Sequence, residues 1–333
     1  MQHPLYDKAK DISDIIVDYR AGELDRALDV NHVLKWIDQF SAEARGLILD
    51  ETHHVLSNWY LGTPQINEFL SAIISYLLKH GVCLNEVTFW NGQKDGNSQA
   101  FLLQDLKKLF PKYEINVDAI PRKRIVYIDD GLYTGSKLKK EIIDIIEGVP
   151  QEVEAIDIFV LVAYSNGLSY LRSLLGERSV QKGVQLRIER YRELFNNKKS
   201  EYNGDEESYT SSLGVLWPSH TLSTDPLVRV FDNYLSSKGA IHLKYKTHSD
   251  YSPQLFTSLR RQEIIEKEFL LAGLKLLSNA SIDKGIYPLG YDVNRSFGFG
   301  SFCATKYNIS NTCPIVLWWN VDASWYPLLP RRI

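Results

Sequence analysis

From Asn31 onward, Val33, Leu34, Ile37 and Phe40 recur at helical spacing, and after Thr63-Pro64 so do Ile66, Phe69, Leu70, Ile73, Ile74 and Leu77. Two amphipathic helices are therefore expected before residue 80. The pattern then changes. Short β-rich runs, Glu86 to Trp90, Tyr113 to Ile120, Arg124 to Ile128 and Ala155 to Ala163, alternate with helical segments such as Ala100 to Phe110, whose apolar face carries Phe101, Leu102, Leu106 and Leu109. Alternation of this kind predicts an α/β fold built on a parallel sheet with right-handed crossovers. Residues 196–212 lose periodicity and read as a mobile, polar surface loop. An irregular segment, GVLWPSHTLSTDP, comes next, with helices expected around Pro226 to Leu235 and Leu255 to Leu277, and the run Ile315 to Trp319 reads as a last strand. The expected organisation is a helical N-terminal extension over 1–82, an α/β core over 83–195, a flexible loop over 196–214 and a C-terminal helical extension with a final strand or cap over 215–333.

One strand end carries chemistry. The apolar run Ile125 to Ile128 ends in Asp129 and Asp130, a turn of Gly131, Leu132, Tyr133, Thr134, Gly135 and Ser136 follows, and from Lys137 the spacing of Leu138, Ile142, Ile145 and Ile146 is helical. Amides at a helix start lack intrahelical partners and carry partial positive charge, which suits a phosphate. Gly135 permits close backbone approach, Thr134 and Ser136 add hydroxyl donors, and the two carboxylates upstream suit ribose hydroxyls. Strand ends of open parallel sheets are where such ligands bind. The same residues also fit an ordinary strand-terminating turn with Thr134 or Ser136 capping the next helix.

The stretch IVYIDDGLYTGSK resembles the phosphoribosyl pyrophosphate (PRPP) motif of the type I phosphoribosyltransferases, an apolar strand with two acidic residues and a Thr-Gly loop entering a helix. The resemblance implies that Asp129 and Asp130 hold the ribose hydroxyls at a catalytic centre and that Gly131, Leu132, Tyr133, Thr134, Gly135, Ser136 and Lys137 hold the 5′-phosphate. Tyr133 and Lys137 depart from the small hydroxyl residues usual in that family. The loop NGQKDGNSQ stands in the place of the family's pyrophosphate loop, which makes Asn91, Gly92, Lys94, Gly96 and Asn97 candidates there. The segments HVLKWIDQF and YNISNTCPIVLWWNVDASWYPLLPR are similar to the ends of the phosphoribosyltransferase-like effectors of bacterial conflict systems, so the resemblance runs from about Val33 to Arg331. It implies a type I phosphoribosyltransferase fold and Mg²⁺, bound through the ligand and through Asp129 and Asp130. It also implies a toxic effector role in antiphage defence, with a retron reverse transcriptase and its multicopy single-stranded DNA as partners. A nucleotide-sensing or scaffold subunit without catalysis is the other role it allows, and a homo-oligomer is compatible with either.

Composition adds bounds. With 333 residues, 44% hydrophobic, 24% charged and a net charge of −3, the chain has the make-up of a soluble globular protein that can bury a core and lacks a general polyanion-binding surface. Cys83, Cys303 and Cys313 are too few and scattered for a disulfide framework, which fits a reducing cytoplasm. No apolar run reaches membrane-spanning length, so no membrane partner is expected. His53 and His54 have no partner at metal-ligand spacing, Trp217 reads as core, and Arg122, Lys123 and Arg124 precede their strand, at the end opposite the aspartates.

Overall fold

A computed structural model describes residues 3–92, 97–117, 121–198, 212–239, 244–246, 252–278, 285–320 and 324–332. The chain forms two compact units, unit 1 from Met1–Gly62 with Phe195–Ile333 and unit 2 from Thr63–Leu194. Unit 1 begins with helices α1 (Tyr6–Ile15), α2 (Val30–Ile37) and α3 (Arg45–Trp59). Asp29 starts α2 by accepting from the amide of His32, and the buried face of α2 presents Val33, Trp36 and Ile37.

Unit 2 contains, in order, α4 (Thr63–Lys79), β1 (Val87–Trp90), α5 (Ser98–Leu109), β2 (Arg124–Leu132), α6 (Ser136–Gly148), β3 (Ala155–Tyr164), α7 (Ser165–Lys182) and β4 (Gln185–Leu194). The sheet order is β1-β2-β3-β4 and every pair is parallel. The expected parallel sheet flanked by helices is present. Every residue of β3 is buried, as befits an interior strand covered on both faces. On one face Ile125 and Tyr127 of β2 join Ile156, Ile158 and Val160 of β3 against Ile142, Ile145, Leu168 and Leu171 of α6 and α7. On the other face Phe159 meets Tyr76 of α4, and Gln99 of α5 donates to the carbonyl of Ile128.

Three segments of unit 2 differ from expectation. β2 runs four residues past Ile128 and keeps its register with β3, Asp129 opposite Val160, Gly131 opposite Val162 and Leu132 opposite Ala163, so the aspartates lie within the strand. β4 carries few apolar residues because it is an edge of the described sheet, where Arg187 and Arg190 are exposed and Glu189, Arg192 and Glu193 half-buried. Of the run 113–120, Val117 pairs with Phe89 in an isolated bridge and residues 118–120 lie outside the described set.

Unit 1 resumes with β5 (Ser212–Leu213), α8 (Pro226–Ser237), β6 (Ser252–Pro253), α9 (Leu259–Ser278) and α10 (Ile315–Trp318). Asp225 caps α8 by accepting from the amides of Leu227 and Val228, with Pro226 in the first turn. The segment expected as a last strand is this one-turn α10, begun after Pro314 and closed by the amide of Trp319 donating to Ile315. A short apolar run buried on all sides has no periodicity to tell helix from strand. Most of the expected mobile loop, residues 199–211, lies outside the described set. Among the described residues no helix is long and apolar enough to cross a membrane.

Candidate functional site

The site is built on the C-terminal end of β2. Tyr127 and Asp129 are two apart on a strand and so share a face, the one covered by α6. The Asp129 carboxyl group is held at both oxygens: Oδ1 accepts from the amide of Asp130 at 2.9 Å, and Oδ2 lies 3.3 Å from the Tyr127 hydroxyl and 4.0 Å from Lys137 Nζ. Asp129 is only 3% exposed, whereas Asp130 is half-buried. Burial above all, then the neighbouring Asp130, pushes the Asp129 carboxyl up to about 8, and Lys137 opposes the shift. At neutral pH this carboxyl group can donate a hydrogen bond, and an arriving cation would drive it to its ionised form.

The sign of the resulting pH dependence is fixed. Between its ordinary range near 4 and about 8, folded Asp129 holds a proton that the unfolded chain releases, so its contribution to stability is full at low pH and is lost as pH rises through that window. Melting temperatures of the wild type should therefore fall relative to Asp129→Asn between about pH 4 and 8. A constant difference between the two proteins across that range would contradict the buried, protonated carboxyl group.

The turn after β2 is shaped by backbone approach. Gly135 has φ 79°, a left-handed conformation that glycine adopts without penalty, and α6 starts at the next residue. Gly167, in the first turn of α7, lies so close that a Cβ there would sit 2.3 Å from the carbonyl oxygen of Tyr133 and 3.4 Å from the amide nitrogen of Gly135. The Tyr133 ring folds back over Gly131 and stacks on Tyr164, with centroids 5.5 Å apart at 28°. Thr134 is half-buried and its hydroxyl lies 3.3 Å from that of the exposed Ser136. Leu132 is buried in the core, so only its backbone can serve the loop. The Lys137 side chain is 64% exposed and reaches toward Asp129.

Of the candidates for the leaving-group loop, Asn91 is half-buried, Gly92 packs beside the Trp90 indole, and exposed Asn97 precedes α5. Lys94 and Gly96 lie outside the described residues. At the opposite end of β2, Arg124 pairs with Asp157, and Lys123 lies 2.8 Å from Glu86. His53 and His54 lie on α3, and Trp217 is buried. Tyr127, Glu141 of α6, Gln99 and Gly167 border the site without having been singled out in the sequence. Tyr127 reads there as one more apolar strand residue, and the other three are brought in by tertiary packing.

The chain is similar to the solved AQ2163 protein from Aquifex aeolicus, at 12% identity and a TM-score of 0.28 over 59% of this chain and 86% of that one. It is also similar to adenine phosphoribosyltransferase from Leishmania donovani, at 15% identity and a TM-score of 0.24 over 42% of this chain and 71% of that one. No curated protein matches it. The family model that does match, over residues 33–331, is PRTase-CE, and by that match the chain belongs to the PRTase-CE family.

Proposed function

We propose that the end of β2 binds PRPP or a related ribose phosphate with Mg²⁺, and that the protein transfers or cleaves a phosphoribosyl group on a nucleotide or base. The observation that carries this reading is the union, on one strand end, of the buried Asp129 beside Asp130 and a left-handed turn opening α6, in a PRTase-CE chain. Asp129 and Asp130 would engage the ribose hydroxyls, and the amides of Gly131 through Lys137 the 5′-phosphate. Among the described residues no three His, Cys, Asp or Glu side chains gather as a metal cage. The two aspartates suit Mg²⁺, which binds through one or two carboxylates while keeping waters and substrate phosphate oxygens. Bound there, it would supply charge stabilisation for the departing pyrophosphate. In the transfer, the C1–O bond breaks with its electron pair leaving on pyrophosphate. A lone pair of the acceptor nitrogen, or of water, forms the new bond to C1, and its proton passes to solvent.

The finer role in this reading is that of an effector in antiphage defence, acting in the cytoplasm with a retron reverse transcriptase and its multicopy single-stranded DNA. It is supported by family membership and by the resemblance of the two chain ends. Tyr133 favours a second reading, a nucleotide sensor or scaffold, because its ring lies over Gly131 where the related motif has a small hydroxyl residue. Calorimetry with PRPP and Mg²⁺, followed by assay of the remaining PRPP, separates the two. Binding with consumption is the expected result; binding without consumption supports the sensor, and absence of binding removes the site altogether.

A further inference from the structure

A buried tyrosine hydroxyl links the strand of the site to the helix that leaves it. Tyr127 is fully buried among aliphatic side chains of β2, β3 and α6. A hydroxyl in such surroundings is costly unless bonded, and phenylalanine would fill the same volume without that requirement. The Tyr127 hydroxyl spends its bonding on two carboxyl groups. It donates to Glu141 Oε2 of α6, and it lies 3.3 Å from Asp129 Oδ2. A phenol has a single proton, so the hydroxyl is shared between the two carboxyl groups and holds Asp129 Oδ2 in place against the fixed Glu141. With Oδ1 taken by the Asp130 amide, both oxygens of Asp129 then have a fixed direction. The chain Glu141–Tyr127–Asp129 also ties α6, whose first turn borders the candidate phosphate loop, to the candidate ribose ligand on β2.

We infer that Tyr127 and Glu141 are positioning residues: together they set the orientation of the Asp129 carboxyl group for the ribose of the bound ligand and couple it to the seat of α6. This inference rests on the ribose-phosphate reading of the pocket. The two residues act through Asp129 and touch no ligand atom themselves. Because they act in series, removing either link should have the same consequence as removing both.

Calorimetry of PRPP with Mg²⁺ on four variants tests this, with melting curves to confirm folding. Tyr127→Phe and Glu141→Ala should each weaken binding about tenfold. The double variant should lose no more than either single, the signature of one coupled unit rather than two independent packing defects. Glu141→Gln, which keeps an acceptor for the phenol proton, should recover most of the affinity lost in Glu141→Ala. Wild-type-like binding by Tyr127→Phe, or losses that add in the double variant, would overturn the inference while leaving the pocket in place. Should Tyr127→Phe fail to fold, Glu141→Ala against Glu141→Gln still decides, since equal affinities overturn it. Absence of binding in the wild type would overturn the pocket reading and this inference with it.

Discussion

Gly167→Ala should weaken the proposed binding of PRPP roughly 100-fold while leaving unit 2 folded. A Cβ at residue 167 would lie 2.3 Å from the carbonyl oxygen and 3.1 Å from the carbonyl carbon of Tyr133, and both are backbone atoms that no rotamer change can move aside. Either α7 shifts away from the turn or the turn shifts away from α7. The new methyl group should cost about 1–3 kcal/mol as overpacking. The consequence for the proposed ligand is larger, because the displaced segment carries the amides proposed to meet its phosphate. A shift of about 1 Å in a positioning element can reduce function roughly 100-fold. Calorimetry with PRPP and Mg²⁺ measures the loss, and circular dichroism melts measure the stability term. Wild-type affinity in Gly167→Ala would show that the turn between β2 and α6 is not the phosphate cradle.

The other large effect lies in unit 1. Glu266 of α9 is fully buried, its Oε1 accepts from the amide of Trp217 at 2.9 Å and from Gln262 Nε2 at 2.8 Å, and its Oε2 meets Lys246 Nζ at 2.8 Å without hydrogen-bond alignment. Burial pushes the Glu266 carboxyl up, and Lys246 is the main opposing influence. Lys246 is itself buried, its amide donating to the carbonyl of Pro218. Removing one member of such a pair leaves a charge in the core with no counter-charge, so Glu266→Ala should cost about 3–5 kcal/mol. The double variant Glu266→Gln with Lys246→Met keeps an acceptor for Trp217 and removes both charges. It should be distinctly more stable than Glu266→Ala alone. Urea titrations of the three proteins decide the matter, and a double variant as unstable as the single one would refute the account.

The parallel sheet was legible because β2 and β3 are covered on both faces, which leaves continuous apolar runs such as Ile158 to Ala163 in the sequence. β4 was not, because this edge strand carries exposed or half-buried Arg and Glu side chains and imitates a polar segment. The doublet Asp129-Asp130 and the Thr-Gly turn announced themselves by local spacing. Their difference in burial did not, since it follows from β2 keeping its pairing with β3 and from α6 covering the face of Tyr127. Gly167 belongs to α7, which returns to the motif from farther along the chain, and Glu141 to α6, which leaves the motif yet packs back on β2. Spacing along the sequence carries no trace of such contacts.

The discontinuity of unit 1 bears on the order in which the protein takes shape. Unit 2 is one uninterrupted stretch, Thr63–Leu194, whereas unit 1 draws its two parts from either side of it. Domains fold as units, N-terminal segments first as the chain emerges. A nascent chain halted just past Leu194 thus carries all of unit 2, while α1, α2 and α3 still lack α9 and α10. Helix α2 bonds to residues made only after unit 2: Trp36 Nε1 donates to the Val316 carbonyl, and His32 Nε2 lies 2.8 Å from that of Leu328. Until those residues appear, the apolar faces of the first three helices lack part of their burial, although every residue of unit 2 has already been made.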